Sequence, residues 1–409
     1  MGRGVRDSVS FYIGTEMGKT KGARKLRFRY RHNSFRDDMK LLMTLFEYFW
    51  IFPLRGKFLS AVFNFFLYVA SFKIHYHIFY RWSFTVTTYI GYFLINTECL
   101  ILMAYFMYLA SKWSLISRQF DYIDRTMKNY EELDFYPKRI FNIFITAGIL
   151  YILVYFILTI IQFYTAGILF NWSKSSFPQV ISDVVIAVIL TEDVLYQFNN
   201  SFDFKVTYLQ KLFVCSFKEL PIIFVSIYFS ARLRQIRRRI NFMSKVRIDN
   251  VHVWRTITQD YTNLSRLCRL LNSSLGFLIV VAYLLNMFYL LLQSFVAIAV
   301  SYTYEIHFKR ILSCFKLTLM LARVSLLCHY GGSVHTENEN IIDALVSVPS
   351  DIYNSEIDRL LLHASSGTMI LTGMNFFKVR RSLLLSMANA LVTYELVIIQ
   401  FVQNFNQLE

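Results

Sequence analysis

A few charged and amide side chains interrupt the long apolar runs of this 409-residue chain. These side chains are Glu98, Lys218, Glu219, Asn286, Gln293, Lys316, Arg323, Glu395 and Gln400. A charge at the centre of a bilayer costs at least about 2.5 kcal/mol unless it is paired or hydrated, so each is a candidate for binding a polar ligand or an ion. The alternative is that some of them only hold helices together.

The last apolar run, residues 383–405, is long enough to cross a bilayer as one helix. Its polar residues recur on one narrow stripe of that helix. The stripe consists of Thr393, Val397, Gln400, Asn404 and Gln407, at positions i, i+4, i+7, i+11 and i+14. A polar stripe on a membrane helix must face protein or water. We therefore expect this helix to line a water-filled path.

Catalytic motifs are missing from the sequence. It contains no GxSxG elbow, P-loop, HExxH pair or GxGxxG turn. The five cysteines form no CxxC pair and mostly lie in apolar runs, where a reduced cysteine packs as a small hydrophobic residue. We expect no enzyme activity, no cofactor, no metal site and no disulfide framework.

The composition predicts an integral membrane protein. Hydrophobic residues make up 55% of the chain and charged residues only 17%, against about 25% charged in soluble domains. The formal charge of +16 does not indicate nucleic-acid binding, because the basic residues concentrate in particular segments between apolar runs and no nucleic-acid-binding motif accompanies them.

Seven spans are predicted, at residues 58–79, 84–110, 139–163, 206–231, 271–300, 311–330 and 383–405. The segments after the second and fourth spans are rich in Lys and Arg, whereas the alternate ones are poor. By the positive-inside rule the N-terminus is cytoplasmic and the C-terminus extracellular, in a multi-pass plasma-membrane protein.

This topology divides the chain into four parts. Residues 1–56 form a basic cytoplasmic segment, attracted to anionic membrane lipid, with an interfacial helix at 41–54. Residues 57–330 hold the first six spans and a ligand pocket, and residues 381–409 hold the seventh, pore-lining helix. Between them, residues 331–380 form a cytoplasmic helical segment, in which Ile357, Leu360, Leu361 and Ala364 mark the apolar face of a helix.

Three stretches carry a resemblance to a known family. Residues 393–401, Thr-Tyr-Glu-Leu-Val-Ile-Ile-Gln-Phe, resemble the C-terminal signature of insect gustatory receptors, and their Thr-Tyr-Glu-Leu-Val is closer to the sugar-receptor branch. Residues 371–377, Leu-Thr-Gly-Met-Asn-Phe-Phe, are similar to that branch's Leu-Thr-Gly-x-x-Phe-Phe. Residues 217–220, Phe-Lys-Glu-Leu, are similar to its Phe-Asn-Asp-Leu, with Lys218 in place of Asn.

The resemblance implies an all-α fold of seven transmembrane helices assembled as a tetrameric, ligand-gated cation channel. It implies that the seventh helices surround a central pore, with Gln400 and Phe401 near its constriction and Val397 as a second candidate for the gate. It also implies an outward-facing pocket. For a sugar hydroxyl the acidic Glu219 is the first candidate acceptor, followed by Asn286 and Glu98.

The main hypothesis is thus a sugar-gated, non-selective cation channel of taste neurons, working as a homotetramer or with related receptors. A channel of the same fold gated by a non-sugar tastant is the first alternative. A seven-helix G-protein-coupled receptor and a transporter are alternatives from other classes. The transporter would require inverted repeats and broken helices, neither of which is clear in the sequence.

Overall fold

The computed structural model describes residues 86–127, 217–299 and 307–406, with residues 44, 130 and 214 and isolated positions between 142 and 154. The predicted first span, at 58–79, lies outside the described residues. The predicted interfacial helix and third span are described only at isolated positions. The fold is accordingly built from the remaining spans and the segment that connects the last two.

Six α-helices and one short hairpin make up this part of the chain. The helices are α1 (Val86–Thr126), α2 (Leu220–Val246), α3 (Val251–Ala299), α4 (His307–Val346), α5 (Ser355–Ser365) and α6 (Leu383–Asn406). A 3₁₀ turn (Ser350–Ile352) precedes α5, and strands β1 (Thr372–Gly373) and β2 (Phe377–Lys378) precede α6. The antiparallel strands pair Thr372 with Lys378 and Gly373 with Phe377.

Helix α1 is apolar on two opposite sides. Its buried stripe follows the 3-4 spacing of a helix face and comprises Leu102, Phe106, Leu109, Trp113, Ile116, Phe120 and Ile123. Its exposed apolar residues recur every seven positions, at Ile101, Tyr108, Leu115 and Tyr122. An exposed apolar stripe of this kind suits lipid rather than water.

Two of the described helices are long and apolar enough to cross a membrane. They cover Thr97–Thr126 in α1 and Val251–Ser294 in α3. Helix α3 has 49 residues, so it is about 74 Å long, more than twice the hydrocarbon thickness of about 30 Å. It is therefore long enough to span a bilayer and still project well beyond it.

Two helices continue beyond the basic ends of the predicted spans. The segments expected to be loops after the second and fourth spans continue as helix, to Thr126 in α1 and Val246 in α2. Charged residues end a hydrophobic run without breaking a helix, because Lys and Arg are good helix formers. Helix α2 ends only at Arg247, which adopts left-handed φ and ψ of 56° and 52°.

The segment 331–380 is less regular than expected. Its first part is the continuation of α4 to Val346, and its last part is the β1–β2 hairpin rather than helix. Between them, α5 is the amphipathic helix that the sequence predicts, with Ile357, Leu360 and Ala364 completely buried. The Asn354 side chain caps α5 by accepting hydrogen bonds from the amides of Glu356 and Ile357.

The hairpin explains the Leu-Thr-Gly-x-x-Phe-Phe stretch. Met374 and Asn375 form the turn with φ of 49° and 64°. A Cβ atom on Gly373 would lie 2.6 Å from the ring of Phe377, so only glycine fits there. The side chain of Asn272 in α3 accepts a hydrogen bond from the Thr372 amide at 3.0 Å and donates one to the Ile370 carbonyl at 2.8 Å. The hairpin is thereby fixed to α3.

Two adjacent glycines in α4 allow the chain leading into α6 to lie against that helix. A Cβ atom on Gly332 would be 2.6 Å from the backbone nitrogen of Arg381. A Cβ atom on Gly331 would be 2.8 Å from a terminal methyl of Val379. Both contacts fix the start of α6 relative to α4.

Gly332→Ala is expected to destabilise the protein by about 1–3 kcal/mol, because backbone atoms of Arg381 cannot move aside at low cost. Gly331→Ala is the matched control. There the added Cβ would meet a side-chain methyl of Val379 rather than backbone atoms, and replacing a mid-helix glycine contributes up to about 1 kcal/mol of helix propensity, so the loss should be smaller. Melting temperatures of the detergent-solubilised variants measure the difference. Equal melting temperatures would contradict the close approach at Gly332.

Candidate functional site

Four elements bring six polar side chains together in the interior of the helix bundle. Glu98 comes from α1, and Lys218 and Glu219 stand directly before α2. Asn286 and Tyr289 come from α3, and Arg323 comes from α4. We refer to these six residues as the charge cluster. All three residues predicted to bind the ligand, Glu98, Glu219 and Asn286, belong to it.

Glu98 forms one half of the charge cluster. Its Oε1 forms an ion pair with the ammonium group of Lys218, and its Oε2 accepts a hydrogen bond of 2.5 Å from the Tyr289 hydroxyl. The Lys218 Nζ also lies 5.4 Å from the centre of the Tyr289 ring, a cation–π contact. Helices α1 and α3 are therefore connected through the turn that precedes α2.

Glu219 forms the other half of the charge cluster. Its Oε2 accepts a hydrogen bond of 2.6 Å from Arg323 Nη2, and its Oε1 accepts one of 3.1 Å from the Asn286 amide. Lys218 Nζ lies 3.9 Å from Glu219 Oε1 and so connects the two halves. Arg323 of α4 thereby pairs with a buried carboxylate.

The charge cluster is electrically balanced and largely buried. Its two carboxylates and two cations sum to zero formal charge. The side chains of Glu98, Lys218 and Glu219 are at most 5% exposed, and that of Arg323 is 24% exposed. Buried charges persist only when they are paired and hydrogen-bonded, because several kcal/mol are needed to desolvate each ion. Such carboxylates and amides could also bind the hydroxyl groups of a ligand that enters between the helices.

The residues predicted to line a pore lie on α6. Thr393, Val397 and Gln400 are all exposed, and Val397 keeps 42% of its accessible surface. Phe401 and Asn404 lie on the same helix, but their side chains are outside the described part. From Thr393 to Gln400 the polar stripe is thus not covered by the rest of the same chain.

The side of α6 opposite the polar stripe is hydrogen-bonded to α3. The Ser294 hydroxyl donates a hydrogen bond to Glu395 Oε1. The second oxygen, Oε2, is buried with no hydrogen-bond partner among the described residues. Glu395 lies two positions from Thr393, about 200° around the helix axis. One side of α6 therefore binds its own subunit while the predicted pore stripe points away.

Two further buried networks lie outside the charge cluster. Asp124 in α1 pairs with Arg232 in α2, and Arg232 donates a hydrogen bond of 2.7 Å to the Tyr228 hydroxyl. Nearer the N-terminal end of α3, the Tyr130 hydroxyl donates a hydrogen bond of 2.7 Å to Asp260. The Arg239 guanidinium lies over the Tyr130 ring, 4.4 Å from its centre. These networks join the long helices at their polar ends.

Sequence reasoning missed two residues of these sites. Tyr289 does not stand out among the 27 tyrosines of the chain, although it lies three positions after Asn286 and so on the same helix face. Ser294 carries no charge, and nothing in the sequence marks it as a contact of α6. Among the described residues, no cluster of three or more His, Cys, Asp or Glu side chains could hold a metal ion.

Comparison with known proteins gives a consistent family assignment. A family model described as trehalose receptor matches residues 24–408. The gustatory receptor for sugar taste 64b of Drosophila melanogaster is 30% identical over 186 residues, which are 45% of this chain and 44% of that relative. The gustatory receptor for sugar taste 64f of the same species is 27% identical over 191 residues, 46% of this chain and 39% of that relative. The chain thus spans less than half the length of either relative.

The fold has been seen in a solved structure. The insect olfactory receptor OR5 from Machilis hrabei, in complex with eugenol, superimposes with a TM-score of 0.58 at 15% sequence identity. The match covers 90% of this chain and 98% of that one. At this identity the likeness concerns the fold alone.

The variant Lys218→Met is expected to lower the free energy of unfolding by about 3–5 kcal/mol, because it leaves the Glu98 carboxylate buried without its cation. The double variant Glu98→Gln/Lys218→Met removes both charges and should recover most of the loss. Thermal melting of the solubilised protein gives the coupling energy of this double-mutant cycle.

The control for this cycle is Arg247→Met, which breaks the exposed pair of Arg247 with Asp351 and should cost less than about 1 kcal/mol. A double variant no more stable than Lys218→Met would show that the two charges do not compensate each other.

Proposed function

The chain belongs to the trehalose receptor family of insect gustatory receptors, and we propose that it is a sugar-gated, non-selective cation channel of taste neurons. The observation that carries this proposal is the pairing, in one chain, of a buried polar cluster that can bind hydroxyl groups with a separate helix whose polar stripe is exposed. A channel needs both parts, one for recognition and one for conduction.

We propose seven transmembrane helices in the plasma membrane, with the N-terminus in the cytoplasm and the C-terminus outside. The distribution of Lys and Arg supports this orientation. Four copies, or copies together with related receptors, would assemble so that their α6 helices surround the pore. The exposed apolar residues of α6 support an assembly, since Val392, Tyr394 and Leu396 each keep more than half of their surface.

Recognition is proposed to occur at the charge cluster. Glu219 would accept hydrogen bonds from sugar hydroxyls, Asn286 would donate to them, and Glu98 would accept a further one. The Tyr289 ring offers a face on which the C–H side of a sugar ring can stack. Because these side chains are buried, the sugar can reach them only when the surrounding helices separate. The hydroxyls would then replace the hydrogen bonds that hold the cluster closed.

Gating follows from that exchange. A ligand shifts an equilibrium only through a difference in affinity for the two states, so the sugar must bind better when the helices are apart. Helix α3 contacts both sites, through Asn286 and Tyr289 at the charge cluster and through Ser294 at Glu395 of α6. A displacement of α3 would therefore move α6 directly.

Conduction is proposed along the exposed stripe of α6. Four copies of Gln400 would line the pore with neutral dipoles, and Thr393 and Asn404 would add polar groups on either side of it. Val397 or Phe401 would close the path by excluding water from a narrow apolar ring. A channel gated by a non-sugar tastant remains the alternative function, and a panel of ligands in current recordings distinguishes the two.

Glu219→Gln is expected to raise the sugar concentration for half-maximal current about tenfold, because a hydrogen bond to a charged acceptor contributes about 1.5–3 kcal/mol. The amide keeps the shape of the carboxylate. Asp124→Asn, another buried carboxylate paired with an arginine, is the matched control and should leave the dose response in place. An unshifted dose response for Glu219→Gln removes this residue from the binding site.

Gln400→Ala is expected to change single-channel conductance or gating while the half-maximal sugar concentration stays within about twofold, since the residue lies away from the charge cluster. Leu362→Ala, at an apolar α5 position that is 74% exposed, is the control and should conduct like the wild type. Single-channel recordings in expressing cells decide the matter. Unchanged currents in Gln400→Ala would exclude it from the pore.

A further inference from the structure

The chain that leads into α6 carries an exposed basic and apolar surface. Lys378, Arg380 and Arg381 are all exposed, and their charges have no ion-pair partner among the described residues. At the turn of the hairpin, Met374 and Phe376 keep 50% and 79% of their surface. We call residues 374–381 the entry segment, because α6 begins two residues later.

Helix α4 adds two titratable groups to the same surface. His329 is exposed, and the positive charge of Arg381 acts on it. His335 feels the positive charges of both Lys378 and Arg380. Glu339, an acidic group on the same helix, pairs with His335 at 3.3 Å. The three cations of the entry segment therefore add to one another rather than being neutralised.

The entry segment is held rigidly. The amide of Val379 donates a hydrogen bond of 2.8 Å to the carbonyl of Leu371, and the Val379 side chain is completely buried. The close approach of Gly332 to Arg381 fixes the next two residues. The basic side chains are consequently presented from a fixed backbone, so they need little ordering to bind a partner.

From this arrangement we propose that the entry segment is a binding site for the headgroup of an anionic phospholipid. The cations would contact the phosphate, and Phe376 and Met374 would enter the apolar boundary of the same leaflet. The exposed Leu385, 67% accessible in the first turns of α6, continues the apolar surface into the bilayer. A lipid offers an anion and acyl chains side by side, which an acidic protein surface does not.

We place this lipid in the cytoplasmic leaflet, and that placement rests on the proposed orientation of the channel. Binding of the lipid itself does not depend on the proposed function. Because α6 carries the proposed pore stripe, a lipid bound where α6 begins would favour one position of that helix. The site would thus make the proposed channel sensitive to the anionic lipid content of the membrane.

The test measures binding of fluorescent phosphatidylinositol 4,5-bisphosphate to the purified full-length protein, with phosphatidylcholine as the neutral probe. The variant Lys378→Gln/Arg380→Gln/Arg381→Gln should bind the anionic lipid more weakly, by about fivefold for each charge removed. The charge-preserving variant Lys378→Arg/Arg380→Lys/Arg381→Lys should bind nearly as well as the wild type. Arg359→Gln, an arginine on α5 with a side chain 75% exposed, is the matched control and should have no effect.

Two further arms identify the source of the anion. Phe376→Ser should weaken binding of the lipid but not binding of soluble inositol 1,4,5-trisphosphate. In the wild type this soluble headgroup should compete only weakly with the lipid. Unchanged lipid binding in the triple Gln variant would overturn the proposal. So would a soluble headgroup that binds as tightly as the lipid. None of these measurements needs a sugar or a current. The lipid-binding proposal can therefore fail while the proposed channel function stands, and the reverse.

Discussion

Two carboxylates and two cations share the interior between α1, the turn before α2, α3 and α4, and their charges must compensate each other there. Glu98 satisfies Lys218 and Glu219 satisfies Arg323, while Lys218 lies close enough to Glu219 to connect both pairs. Hydrophobic contacts alone tolerate sliding of one helix along another. A buried ion pair does not, because a displacement of a few ångströms leaves a charge in a medium that cannot solvate it. The charge cluster therefore sets the relative positions of four elements.

The same constraint makes the cluster suitable for switching. A polar group that is buried and fully bonded changes partners only when another polar group replaces those bonds. A sugar, which carries many hydroxyl groups and no net charge, can do this without upsetting the charge balance. A charged ligand could not. In the proposed function, neutrality of the cluster is thus what selects a neutral polyhydroxylated ligand, and α3 transmits the exchange because it also bonds to Glu395 of α6.

The sequence pointed to most members of the charge cluster but not to the contacts between them. Apolar runs and 3-4 spacing located α6 and α5 correctly, and the cost of burying charge picked out Glu98, Glu219 and Asn286. Hydropathy could not show that α1, α2 and α4 continue past their apolar parts, because Lys and Arg lower hydropathy without ending a helix. It also could not pair Glu98 with Lys218, which are 120 residues apart. Such pairing is a property of the packed helices, and Tyr289 and Ser294 acquire a role only through it.

The Thr-Tyr-Glu-Leu-Val-Ile-Ile-Gln-Phe stretch combines two requirements on opposite sides of one helix. A pore helix must keep one side free for water and ions, yet it must also be held by its subunit, or a movement of α3 would not reach it. Glu395 fulfils the second requirement through Ser294, and its position about 200° from Thr393 leaves the stripe with Gln400 uncovered. In the proposed channel an acidic residue on the stripe would face the pore, and an apolar residue at 395 could not accept the Ser294 hydrogen bond. The order of polar residues within the stretch is therefore set by helix geometry.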